Sequence, residues 1–243
     1  MTLPKFLIVC SFPFFVFTAS GNVSHLPKGP CPQQLEYVYY TLCYSSEHRQ
    51  AVWTAHTLTR QSVDGKQKRT NDYRPDILLE NPVDEDDYRG SGFDRGHLVP
   101  AGDMKLNHKS MSQTFFMTNM SPQKPRLNQN TCAQIENRIR QQVRVYGTAH
   151  VVTAPVLTDN LPRIFSGVSV PDYYYKLAYF PEAGFMEAYL VENRSYSGTQ
   201  IHQLRVTVRE VEQLTGFDFY SELPIDVQDE LESRDPSQLA AQQ

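Results

Sequence analysis

The chain lacks any excess of positive charge: 23 Lys and Arg stand against 27 Asp and Glu, a net charge of −4. A protein that coats nucleic acid by bulk charge is basic, so that class is disfavoured, although a local basic groove is not. None of the four cysteines forms a Cys-x-x-Cys pair, which removes a thiolate zinc site and a dithiol redox motif. Glycine and proline are scattered, and there is no internal repeat of about 20–50 residues, so collagen, coiled coil, solenoid and wholesale disorder are excluded. A Gly-x-Ser-x-Gly elbow is missing (Gly90-Ser91-Gly92 is too short), which argues against a serine esterase. No helix-turn-helix or zinc-finger pattern offers a base-reading element.

Long apolar runs are absent too, except at the start. Met1 to Ser20 carries one charge, Lys5, then an apolar stretch from Phe6 to Phe17, then the small residues Thr18-Ala19-Ser20-Gly21. That order matches a secretory signal. The stretch is shorter than the roughly 20 residues that span a bilayer, and Pro13 interrupts it. The expectation is therefore a signal peptide at 1–21, one domain at 22–225 and a polar, frayed tail at 226–243. The mature chain is expected to be secreted or periplasmic and not held at a membrane. Without Lys5 the balance is 22 against 27, a net charge of −5. Export places Cys31, Cys43 and Cys132 in an oxidising compartment. An odd number leaves either one disulfide and a free thiol or three thiols, with Cys31–Cys43 the favoured pair.

Ala51–Thr59 alternates and is rich in β-formers, so a strand is expected, followed by a basic loop from Gln61 to Asn71. The acidic run Asp84-Glu-Asp-Asp87 reads as a solvated loop, because it has neither the alternating oxygen ligands nor the glycine of a calcium loop. Gln113–Asn119 reads as a buried strand. From Asn130 to Tyr146 the pattern is helical, with Ile135, Ile139, Val143 and Tyr146 as the core stripe and Gly147 as the stop. Asn128, Cys132, Glu136 and Arg140 form a second row about 100° away on the helical wheel. A strand from His150, a hairpin of Tyr173–Phe180 with Phe185–Val191, and a short helix closed by Gly216 follow. Strands and helices mix without a βαβ period, which makes the fold class α+β.

The informative segment is Ser91-Gly-Phe-Asp-Arg-Gly-His-Leu-Val-Pro100. Arg95 and His97 are two apart, so in an extended chain they face the same way. Asn119-Met-Ser-Pro-Gln123 follows, then Leu127-Asn-Gln129, with Glu136 eight residues beyond Asn128 and Arg140 four further on. These five elements, in this order and spacing, resemble the DNA/RNA non-specific endonucleases of the ββα-metal (His–metal finger) superfamily, whose signature is Asp-Arg-Gly-His. The resemblance runs from about Trp53 to Phe219. It implies a ββα-metal finger fold with a central mixed or antiparallel sheet flanked by helices. It also implies a Mg²⁺-dependent, sequence-independent endonuclease, with Mn²⁺ as a possible substitute, acting on DNA and RNA to leave 5′-phosphate ends.

Phosphodiester hydrolysis needs an activated water, stabilised charge on phosphorus and help for the departing oxygen. An imidazole with an unperturbed pKa near ~6.5 suits the base, and the resemblance gives that part to His97. Activity is then expected to fall as pH drops through the His97 pKa. Mg²⁺ keeps several waters and takes few protein ligands, so one neutral oxygen suffices; the resemblance assigns Asn128, with Glu136 reaching the metal through water. Arg95 is expected to clamp phosphate. Arg140 is expected to balance Glu136 or meet phosphate, and Asn119 to orient His97 or the finger. Asp94 is expected to pin the turn through backbone bonds. A further phosphate-binding arginine precedes the motif in relatives; Arg69 is the candidate and Arg74 the alternative.

Two departures stand out. Relatives commonly have Trp where this chain has Cys132, and Trp-x-x-Tyr where it has Trp53-Thr-Ala-His56, expected to be a structural change. Arg60, Lys66, Lys68, Arg69 and Arg74, with Lys124, Arg126, Arg138, Arg140 and Arg144, are the basic residues available to line a groove, about half of them expected to touch nucleic acid. The competing reading is a catalytically silent nucleic-acid-binding protein on the same fold, for which loss of His97 or Asn128 would be the mark; both are present. An exported nuclease also leaves room for an inhibitor protein in the producing cell. Asn-x-Ser sequons stand at Asn22 and Asn193, and a third at Asn119, within the motif, is expected to be unused.

Overall fold

A computed structural model describes residues 25–198 and 200–237. The expected signal segment and the Asn22 sequon lie outside the described residues. The order is β1 (Gln33–Glu36), β2 (Tyr40–Ser45), β3 (Gln50–Leu58), α1 (Arg60–Asp64), β4 (Asp94–His97), α2 (His108–Gln113), β5 (Met120–Gln123), α3 (Ala133–Tyr146), β6 (Ala149–Pro155), β7 (Tyr173–Phe180), β8 (Phe185–Glu192), β9 (Arg205–Val206), α4 (Val208–Thr215) and α5 (Ile225–Glu232). Seven strands form one sheet in the order β1-β2-β3-β6-β7-β8-β9, and every pair is antiparallel. The expected α+β class holds, and the sheet is antiparallel rather than mixed. β4 and β5 form a separate ribbon.

The sheet buries both faces. On one side α3 lays Ile135, Ile139 and Val143 against Leu98, Leu127, Ala178 and Tyr189. Those three are members of the expected stripe, whose fourth, Tyr146, is only partly buried, and each fully buried aliphatic side chain contributes about 1.5–3 kcal/mol. Gly147 ends α3 at φ 104°, its N–H donating to the Val143 carbonyl. On the other side Trp53 and Ala55 pack with Tyr175, Leu177, Val211, Phe219 and Leu231, beneath α4 and α5. Thr207 and Glu210 cap α4 reciprocally, and left-handed Gly216 closes it as expected. A disulfide joins Cys31 to Cys43, and Cys132 is a free thiol.

Five expectations are corrected. Gln113–Asn119 is not a strand: it is the end of α2 and a 3₁₀ turn, Met117–Asn119, with the strand starting at Met120. Asn107 caps α2 with Ser110, and a short apolar run after a capped turn buries as well in a coil as in a strand. The helix expected from Asn130 begins earlier, as a π-turn over Leu127–Cys132 that leads into α3. The basic loop opens with α1, capped by Thr59. The acidic run holds a 3₁₀ turn, Glu85–Tyr88, anchored by buried Tyr88. The tail contains α5, whose Leu231 and Glu232 are buried, so the packed domain runs at least to Glu232. Asn193 spends its side chain on the Lys124 N–H and the Pro122 and Pro171 carbonyls, and both Nδ2 hydrogens are used inside the fold.

Candidate active site

The β4–β5 ribbon pairs Asp94 with Gln123, Arg95 with Pro122, Gly96 with Ser121 and His97 with Met120. Strand alternation turns Arg95 and His97 to one side, where they line a cleft of about 320 Å³ with Arg69, Asn128, Glu136 and Arg140. The glycine between them makes room for Gln123: a Cβ there would sit 2.3 Å from its side-chain amide and force it to shift.

His97 packs edge-on against Phe115 and Tyr73, at ring separations of 5.0 and 5.8 Å. The ring hydrogen bonds to the Arg95 backbone, while Nε2 is buried without a hydrogen-bond partner. Burial, then the Arg69 and Arg95 charges, push the imidazole down to about 3. An acid limb near ~6.5 is therefore not expected from His97; its base form persists well below that pH.

Asn128 is oriented by Asp94. Its Nδ2 and the Gln129 Nε2 each donate to Asp94 Oδ2 at 2.9 Å, which leaves the Asn128 Oδ1 as the atom able to accept a cation. Asp94 thus acts through side chains, not through the backbone bonds expected of it. Asn119 works on the finger: its Oδ1 accepts from the Val99 N–H, and its Nδ2 donates to the Val99 and Thr114 carbonyls. Its backbone carbonyl also accepts from the Leu98 N–H, so it holds the chain leaving His97 and not the ring. Its burial also removes it as a sequon.

Arg69 reaches the cleft, held by Asn71 and the Tyr73 hydroxyl and lying 4.8 Å from the Phe115 ring centre. Arg74 does not line the cleft; it is tied to Asp72 and the Ser112 carbonyl over the Phe116 ring. Arg95 stacks 4.0 Å over Tyr73 and pairs with Glu85 at 2.8 Å. Of the ten basic residues offered for a groove, five are spent internally. Arg60 caps the end of α3, Arg74 pairs with Asp72, Arg138 with Glu187, Arg140 with Asp103 and Arg144 with Asp64.

Glu136 is half-buried beside Arg140 at 3.7 Å, and burial pushes its carboxyl up to about 7 against the opposing charges of Lys176 and Arg140. Arg140 NH1 bonds Asp103 Oδ1 at 2.6 Å, and Asp103 Oδ2 lies 3.1 Å from His56 Nε2. The His56 departure therefore belongs to a buried chain that ends at Glu136. Burial and neighbouring Glu136 push the Cys132 thiol up to about 12, so it is inert at neutral pH. Asp103, Tyr73 and Glu85 carried no signal of their own in the sequence. Lys176 did: one lysine inside Tyr-Tyr-Tyr-Lys-Leu-Ala-Tyr-Phe is a buried cation, and its Nζ donates to Thr153 Oγ1 at 2.5 Å.

Among the described residues no group of three His, Cys, Asp or Glu converges. An oriented neutral amide oxygen with one carboxylate nearby fits a hard cation that keeps most of its water, such as Mg²⁺, and does not fit a closed site such as structural zinc.

The sequence pattern of the family described as DNA/RNA non-specific endonuclease matches residues 21–226. The chain is 32% identical over 198 residues to mitochondrial Endonuclease G of Bos taurus, covering 73% of this chain and 64% of that protein. It is 30% identical over 230 residues to a nuclease of Nostoc sp., covering 86% and 83%. In a crystal structure of the EndoG/EndoGI complex, one chain superposes with a TM-score of 0.72 at 26% identity, over 79% of this chain and 86% of that one. With the motif residues gathered on a ββα element over an antiparallel sheet, the chain belongs to the DNA/RNA non-specific endonuclease family.

Proposed function

We propose that the protein is an exported, Mg²⁺-dependent endonuclease that hydrolyses phosphodiester bonds of DNA and RNA without reading sequence, Mn²⁺ being a possible substitute. The observation that carries this reading is His97: its Nε2 is buried without a hydrogen-bond partner, burial favours the base form of its ring, and the residue lines a cleft shared with Asn128, Glu136 and Arg69. His97 takes the proton of the attacking water as that water's oxygen bonds phosphorus. Asn128 Oδ1 would hold the cation directly and Glu136 through water. When bound, Mg²⁺ supplies Lewis-acid stabilisation of the charge that builds on the phosphate and on the departing oxygen. Arg69 and Arg95 bind phosphate oxygens, and Arg140, held by Asp103, balances Glu136 instead of reaching substrate. Breaking the bond to O3′ leaves a 5′-phosphate.

Sequence independence is supported by the cationic cleft, which offers phosphate contacts and no element shaped for a DNA groove. Affinity is then expected to fall as salt rises. Export is supported by the N-terminal pattern and by the Cys31–Cys43 disulfide, a bond of oxidising compartments. The likeness to a chain crystallised in an inhibitor complex supports an inhibitor protein as partner. The test is purified residues 22–243 with plasmid DNA and, separately, RNA, in Mg²⁺ or EDTA. Cleavage of both, abolished by EDTA, is the expected result. A folded protein that binds both and cuts neither, in Mg²⁺ or Mn²⁺, would establish the silent binding reading instead.

A further inference from the structure

The acidic run Asp84–Asp87 has the composition of solvated surface, yet its four carboxylates have separate employments. Asp84 caps the 3₁₀ turn by accepting from the Asp86 N–H, and Asp87 returns a bond to the Asp84 N–H. Asp86 pairs with Arg89 at 2.7 Å, on the exposed surface, and Asp87 lies 3.9 Å from Arg49. Glu85 alone reaches the motif, placing Oε2 2.8 Å from the Arg95 NH1. Buried Tyr88 anchors the turn, so Glu85 is presented from a built element and not from a free loop.

Arg95 has one face stacked on Tyr73, which leaves its edge as the place for an anion. That edge is occupied by Glu85. A cavity of about 590 Å³ lies beside this pair, lined by Tyr73, Glu85, Asp94, Arg95 and Asn128.

We propose that Glu85 is a specificity-determining residue that stands in for phosphate on Arg95, so that an incoming phosphodiester must displace an internal carboxylate before Arg95 can clamp it. The inference rests on the reading of Arg95 as a phosphate clamp. Its consequence is a site that holds weakly any anion unable to make further contacts in the cleft. A polymer, with phosphates at Arg69 as well, offsets the displacement, whereas an isolated phosphate does not. Glu85 raises KM and leaves kcat unchanged, because the exchange is complete before the chemistry begins.

The experiment compares wild type with Glu85→Gln, Asp86→Asn, Arg95→Gln and the Glu85→Gln/Arg95→Gln double variant. Anisotropy of a fluorescein-labelled DNA duplex in EDTA gives Kd, and steady-state cleavage with Mg²⁺ gives kcat and KM. Glu85→Gln is expected to lower Kd and KM about three- to tenfold more than Asp86→Asn does, from loss of an exposed ion pair and of like-charge repulsion, with kcat unchanged. The gain is expected to vanish in the Arg95→Gln background. Equal effects of the Glu85 and Asp86 substitutions, a gain that survives without Arg95, or a change in kcat instead of KM overturns the proposal. A wild type that cuts nothing, yet binds DNA more tightly on Glu85→Gln, keeps this inference and removes the nuclease reading. Absence of binding by every variant removes both.

Discussion

The Arg140 guanidinium lies 2.6 Å from the Asp103 carboxylate, and that carboxylate is buried. Gly102 lies against the guanidinium, and a Cβ there would stand 2.9 Å from the Arg140 NH1 and push it aside. Burial works against the charge on Asp103, but His56 and then Arg140 hold its pKa below the usual carboxylate range. Asp103 therefore stays ionised and fixes Arg140 beside Glu136. Truncating Asp103 leaves buried His56 without its carboxylate and Arg140 with only the longer 3.7 Å contact to Glu136. Asp103→Ala is expected to cost roughly 3–5 kcal/mol of stability. Urea unfolding at pH 7 measures this, and a loss under about 1 kcal/mol would show that the pair is not holding the site.

His97→Ala is expected to lower kcat by about 10²–10⁴-fold, the usual worth of a general base, while DNA binding in EDTA is retained. The arginines that would bind phosphate are unaffected by the change. Near-normal turnover in a well-folded variant would remove His97 from the role proposed for it.

The pH dependence follows from the depressed His97 pKa. In the unfolded chain this imidazole takes a proton below about 6.5, whereas in the fold it does so only near 3. Between those values the unfolded state binds more protons, so the His97 contribution makes stability fall as pH is lowered from 6.5 toward 3. His97→Gln is expected to lose less stability than wild type over that window, read as Tm at pH 7 and pH 5. With metal saturating, cleavage is expected to show no acid limb from His97 between pH 5 and 8. A wild-type limb at 6.5 in kcat/KM would show that substrate or solvent restores the ordinary imidazole.

Glu136 supplies the opposite case. Its carboxyl titrates near 7 in the fold, so a cation drawn to it competes with a proton there. Mg²⁺ binding is expected to weaken as pH falls below 7 and to release protons, which calorimetry in two buffers of different ionisation heat detects. In Glu136→Gln that proton release is expected to disappear.

Of the three cysteines in the described residues, two are joined across twelve positions of sequence. Cys31→Ser is expected to lower stability by about 2–3 kcal/mol by freeing that loop in the unfolded chain. Cys132→Ser is expected to stay within about 1 kcal/mol, and reductant to affect wild type but not Cys31→Ser. A large effect of Cys132→Ser on Tm would point to tight packing at the thiol.

Much of the site was legible in the chain because its geometry is local. Asp94 to His97 form one strand, so a spacing of two suffices to turn Arg95 and His97 together. Ile135, Ile139 and Val143 repeat at helical spacing, so the buried face of α3 follows from hydrophobic period alone. The capped turns were less legible: an apolar run such as Gln113–Asn119 buries equally well in a strand or a 3₁₀ turn, and only the backbone partners supplied by Arg74 and Asn119 decide between them. The tail departs from its polar composition because α5 owes its order to packing on β8, not to a strong helical pattern of its own.

Residue types and spacing along the sequence determined the α+β class, the common side of Arg95 and His97, the helix that carries Glu136 and the family. Tertiary structure decided the rest. It put Arg69 and not Arg74 on the cleft, gave Asp94 to Asn128, made Asp103 the link from His56 to Arg140, and set Glu85 against Arg95. It also moved the His97 and Glu136 pKa values in opposite directions. Those outcomes depend on which side chains from distant segments share a buried space, and on the loss of water there. Neither is written in the spacing of residues along a strand or helix.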